Sequence, residues 1–159
     1  MKNDDEVLLR EQTKILHQRK DAANRALMAD RLGDLLERTL LNPVSPVGDE
    51  LQETISEIMA LILNEKNSEA RESLLHALVN ASSLARARRK YFDPEPLVSV
   101  LDHFNEAELE YVLYIVGFSE EDKYQPIIEQ FLNSPNSALQ IVARQALREL
   151  KGSAEPGGR

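Results

Sequence analysis

Pro126-Ile127-Ile128-Glu129-Gln130-Phe131-Leu132-Asn133-Ser134-Pro135-Asn136, with Val142-Ala143-Arg144-Gln145-Ala146-Leu147 behind it, is the stretch that decides the fold. Ile127, Ile128, Phe131 and Leu132 lie at helical spacing, and the pattern then stops. Pro135 lacks an N–H and fixes its φ, while the Asn and Ser around it compete for backbone hydrogen bonds, so a turn is expected. Beyond it Leu139, Val142, Ala143, Ala146, Leu147 and Leu150 recur at helical intervals and form one apolar stripe. Two helices joined by so short a turn run antiparallel.

Moving toward the N-terminus, the same unit recurs. Leu51, Ile55, Ile58, Met59, Ile62 and Leu63 form an amphipathic helix. Asn64–Ser68 is a polar turn, and Ala70, Leu74, Leu75, Leu78 and Val79 lead a second helix to about Ala87. Pro94 and Pro96 reset the chain before a short helix through Leu97, Val98, Val100, Leu101 and Phe104. Asn105 then caps a helix carrying Leu109, Val112, Leu113 and Val116. The apolar quartets of the three second helices align as Leu74-Leu75-Leu78-Val79, Val112-Leu113-Val116-Gly117 and Val142-Ala143-Ala146-Leu147. They are spaced by 38 and 30 residues. No single pair can bury its apolar face, so neighbouring pairs are expected to stack.

On these residues the chain resembles HEAT-like or armadillo-like helical repeats over about residues 49–150, best in the last hairpin. The resemblance implies an all-α fold in which antiparallel hairpins stack as a short right-handed solenoid, with residues 1–41 as an N-terminal helical arm. That arm reads as one helix or as two meeting near Asp30–Gly33. Asn42–Gly48, with two prolines and a glycine, is a loop, and Asp49 is the expected N-cap of the helix after it. Residues 1–150 read as a single domain. The tail 151–159 lacks apolar anchors and is expected to be disordered.

Composition narrows the function. The chain has 159 residues, a net charge of −8 and no Cys, which excludes disulfides and thiolate chemistry. The acidic balance argues against a general nucleic-acid binder, which gains most of its affinity by neutralising phosphates. No apolar run approaches the ~18 residues of a membrane span. The polar start Met1–Glu6 lacks the apolar core of an export signal, so a cytoplasmic location is expected.

No catalytic constellation is legible, and no cofactor or metal is expected. His17, His76 and His103 are scattered, and no phosphate-binding loop or nucleophile elbow occurs. Two clusters remain. Residues 102–129 hold eight acids against one Lys. On the helix after Asn105, Tyr111, Tyr114, Ile115 and Phe118 exceed what one apolar stripe needs. Tyr91, Phe92 and Tyr124 flank it. Ile115 and Phe118 suit the core of a central repeat, whereas Tyr111 and Tyr114 suit a partner surface. With Glu108, Glu110, Glu120, Glu121 and Asp122 they would meet a basic protein, the tyrosines as anchors and the acids as steering charge. The alternative is Arg86, Arg88, Arg89 and Lys90, which beside Tyr91 and Phe92 could contact nucleic acid. These cations also suit a helix C-terminus, where they satisfy carbonyls. The leading expectation is a non-enzymatic interaction module. By fold and charge it is similar to bacterial immunity proteins that mask a basic toxin. A structural or adaptor subunit of a larger complex is the further alternative.

Overall fold

The computed structural model describes residues 11, 14, 21–41 and 50–152. Every regular element among them is helical, with no strand. The expectations for the loop at 42–48, for Asp49, for His17 and for the tail from Ser153 lie outside the described residues, as do most of those for 1–20. Backbone contacts divide the chain into two compact units, with the boundary between Phe92 and Asp93.

The described part of the first unit contains three helices. Helix α1, Ala22–Leu40, starts where the Asp21 carboxylate accepts the Ala23 N–H at 2.9 Å. The junction expected near Asp30–Gly33 is absent, and α1 passes through it unbroken. Gly33 is buried against α3, Ser68–Ala87. Tertiary packing there outweighs the roughly 1 kcal/mol that a glycine costs a helix. Helix α2, Glu50–Asn64, buries Leu51, Ile55, Ile58, Met59 and Ile62, while Leu63 is exposed.

Helix α3 packs on both of the others. Gln52 near the start of α2 donates to the Tyr91 carbonyl beyond the end of α3, so α2 and α3 are antiparallel, as the short turn requires. Helices α1 and α3 are parallel, held by three contacts in the same order along both. Arg25 bonds Glu65 just ahead of α3, the Asn80 amide donates to the Gly33 carbonyl at 3.1 Å, and Arg88 donates to the Thr39 carbonyl at 3.3 Å. The N-terminal segment is thus, from Ala22 onward, a full packing partner of α3.

In the second unit the short helix expected through Leu97–Phe104 is broken in two: α4, Glu95–Val98, and a 3-10 turn at Leu101–His103. Val100 between them has φ −127° and ψ 29°, outside the helical region. Helix α5, Glu106–Phe118, follows. Single turns at Asp122–Tyr124 and Gln130–Asn133 then flank α6, Gln125–Glu129, and lead to α7, Ser137–Leu150. The Asn136 side chain accepts from Ala138 N–H at 2.9 Å and caps α7.

Helices α5 and α7 are parallel and side by side. Near their starts Asn136 donates to Glu106, Gly117 lies against Ala146, and past their ends Gly152 packs on the Glu120 carboxylate. The 30-residue spacing of the last two apolar quartets is close to the offset between neighbouring positions on these two helices, 30 at Glu106 and Asn136 and 29 at Gly117 and Ala146. A Cβ on Gly117 would come within 2.7 Å of the Ala146 carbonyl oxygen and 3.0 Å of its Cα. Only a glycine permits this approach.

Three helices end on a residue with positive φ just past the C-cap. These are Arg89 (56°) after α3, Glu120 (56°) after α5 and Gly152 (81°) after α7. At the first, Arg89 N–H bonds the Arg86 carbonyl and Lys90 N–H the Ala85 carbonyl, the paired pattern that closes a helix through a left-handed residue. Glycine takes that conformation freely, whereas a side chain costs about 1 kcal/mol or more.

Candidate interaction surface on the second unit

Helix α5 is apolar nearly all round, and the fold uses its sides differently. Val112, Leu113, Ile115 and Val116 are fully buried. Tyr111, Tyr114 and Phe118 stay half-buried, at the i, i+3, i+7 spacing of one stripe. The Tyr114 and Phe118 rings stack at 6.3 Å between centroids with 20° between planes. Of the four residues singled out on this helix, Ile115 is core. The two tyrosines and Phe118 lie together on the partly open side.

The acids do not form one cluster. Glu108 is buried and belongs to a capping box. Its carboxylate accepts the Asn105 N–H at 2.9 Å, and Asn105 accepts the Glu108 N–H at 2.8 Å. It is therefore withdrawn from any surface role, and the Asn-x-x-Glu spacing already carried that signal. Glu110 is half-buried beside the tyrosine stripe. Glu120 and Asp122 are exposed and Glu121 half-buried, all in the turn after α5. Glu120 is the residue with positive φ.

Tyr124 is buried rather than displayed on a loop. Its hydroxyl donates to Glu95 at 2.6 Å, tying the turn to α4, and Lys123 lies over its ring. Burial first, and the acceptor Glu95 second, push its pKa above the ordinary tyrosine value. Phe92 is buried as well, whereas Tyr91 is exposed.

The basic cluster is partly consumed within the first unit. Arg88 reaches the Thr39 carbonyl in the last turn of α1, so it satisfies a carbonyl of the neighbouring helix. Arg86 and Lys90 are half-buried, and Arg89 is exposed on a left-handed backbone.

Sequence reasoning missed an exposed stripe on α7. Ser137, Ile141, Arg144, Arg148 and Lys151 all face outward at i, i+4, i+7, i+11 and i+14, and Ile141 is 58% exposed. The signal is present in the sequence as the complement of the buried Leu139-Val142-Ala143-Ala146-Leu150 face.

Among the described residues no group of three or more His, Asp or Glu is placed to hold a metal, and no helix is long and apolar enough to cross a membrane. Compared with known proteins, the chain matches no family model, no curated protein sequence and no solved structure.

Proposed function

We propose that this chain is a non-enzymatic protein-interaction module that binds and masks a basic protein, as an immunity protein masks a toxin. The half-buried Tyr111–Tyr114–Phe118 stripe carries the reading. Helix α5 has already filled its core with other residues, yet it holds three aromatic rings at the protein surface. Tyrosines of this kind anchor protein interfaces because they bury much area at little entropic cost. Glu110, Glu120, Glu121 and Asp122 lie along and just beyond the stripe, and the net charge of −8 would speed encounter with a cationic surface. Parallel neighbouring helices in both units suit a short HEAT-like stack, whose use is an extended face. For the nucleic-acid alternative, the engagement of Arg88 with Thr39 leaves fewer cations available to phosphates.

The test is affinity capture at low salt from the chain's own host. Wild type is compared with Tyr111→Ala/Tyr114→Ala and with Glu121→Lys/Asp122→Lys. A basic protein retained by wild type, lost from both variants and released by moderate salt supports the reading. Capture indifferent to both variants, or of acidic proteins only, overturns it.

A further inference from the structure

The α7 stripe has a chemistry opposite to that of the chain as a whole. Arg144, Arg148 and Lys151 are exposed and spaced over about 10 Å of helix. None of the three is held in an ion pair with a described residue. Ile141, more than half exposed, continues the stripe on its N-terminal side. In the matched register of the two parallel helices, Ile141, Arg144 and Arg148 hold the places that Tyr111, Tyr114 and Phe118 hold on α5. The cations therefore lie on a helix whose immediate neighbour shows aromatic surface at equivalent positions.

We propose that this face of α7 is a second docking surface, fitted to an acidic amphipathic segment of a partner protein. The occupant would be a short stretch with carboxylates on one side, to meet Arg144, Arg148 and Lys151, and an apolar side chain to cover Ile141. Charge complementarity selects it. Two of the three cations are arginines, whose planar forks hold carboxylates through paired hydrogen bonds. A peptide is favoured over nucleic acid because Glu110 on the adjacent helix and the Glu120–Asp122 turn beyond its end are acidic. A continuous polyphosphate would meet that repulsion at every step, whereas a peptide places its few carboxylates opposite the cations and an uncharged residue beside the Glu120 carboxylate that packs on Gly152. The surface is distinct from the acidic turn assigned to a basic partner, so either proposal can fail without the other.

Fluorescence polarisation of the full chain tests it. The probe is a labelled helical peptide with Glu at i, i+4 and i+7 beside a Leu stripe. Its Glu→Gln counterpart and a single-stranded DNA oligonucleotide serve as comparisons. The acidic peptide is expected to bind, and the Gln peptide to bind roughly tenfold more weakly or worse. Arg144→Glu/Arg148→Glu should weaken the acidic peptide by a similar factor and Ile141→Ser by a few-fold, while Arg89→Glu leaves it unchanged. Arg144→Gln/Arg148→Gln, which adds no negative charge, should show an intermediate loss and guards against a merely misfolded variant. Equal binding of the Glu and Gln peptides, or no effect of either arginine double variant, overturns the proposal. So does an oligonucleotide that binds as tightly as the peptide with the same arginine dependence.

Discussion

The pairs α1/α3 and α5/α7 share a plan and differ in how they hold it. Each sets two parallel helices side by side, with a glycine from one against an alanine from the other. In the first pair, Gly33 keeps ordinary distance: a Cβ there would lie 3.5 Å from Ala77 Cα. The contact is secured instead by polar links at both ends and the middle, from Arg25, Asn80 and Arg88. In the second pair the backbones themselves meet at Gly117 and Ala146. Polar clamps tolerate changes of packing volume, whereas backbone contact does not.

The most severe test of this contrast is Gly117→Ala. The methyl would meet a carbonyl oxygen and a Cα, neither of which can swing aside, so α5 and α7 must separate. A loss of about 2–3 kcal/mol is expected in urea denaturation. A loss below about 0.5 kcal/mol would remove the distinction between the pairs.

Arg25→Met is next. Arg25 clasps Glu65 through Nε at 2.6 Å and Nη2 at 2.9 Å, and the Glu65 side chain is almost wholly buried. Removing the cation strands a buried carboxylate, at a cost of about 2 kcal/mol near neutral pH. The pH dependence should also change sign. In the wild type the Arg25 hydrogen bonds hold Glu65 below the ordinary glutamate value of 4.5, against the desolvation that would raise it. The pair's contribution is thus complete above that value and lost as pH falls through the lower folded one. In Arg25→Met, desolvation is opposed only by the local backbone donors, and mild acid should recover stability by neutralising Glu65. Thermal melts of both proteins from neutral pH to pH 4 would show curves that converge. Parallel curves would deny the clamp its role.

A smaller gain is expected from Arg89→Gly. Glycine relieves the left-handed backbone at the end of α3 and should raise stability by about 1 kcal/mol, read from the denaturation midpoint. The smallest effect belongs to Gly33→Ala. With room for the methyl and a helical backbone, it should stabilise by roughly 0.5 kcal/mol. Destabilisation there would mean that the first pair is as tightly closed as the second.

Most helices were legible in the sequence because their apolar stripes and Asn caps are local signals. Asn67, Asn105 and Asn136 each start a helix through their own side chain. The 30-residue spacing also had a physical referent, being close to the offset between α5 and α7. What stayed hidden depends on distant partners. Glu65 read as part of a polar turn, since nothing nearby reveals an arginine 40 residues earlier. Residues 22–40 read as an arm because the Asn80–Gly33 link that makes them a packing partner spans 47 residues. In the candidate site, Tyr111 and Tyr114 were separable from the core by elimination along the helix. Glu108 reads as surface by its charge, yet its Asn-x-x-Glu spacing makes it a buried cap, and the α7 cations carry no local pattern beyond being the complement of the apolar stripe.

Gly117 also sets what this chain can become. Exposed positions such as Arg144 or Arg148 can be exchanged to follow a changing partner without disturbing the helices beneath. The crossing point has no such freedom: a hydrogen at 117, where a Cβ would run into the backbone of residue 146, is a condition for the face above it to exist. In any lineage that keeps this face while its partner changes, position 117 would stand still as the surface around it drifts.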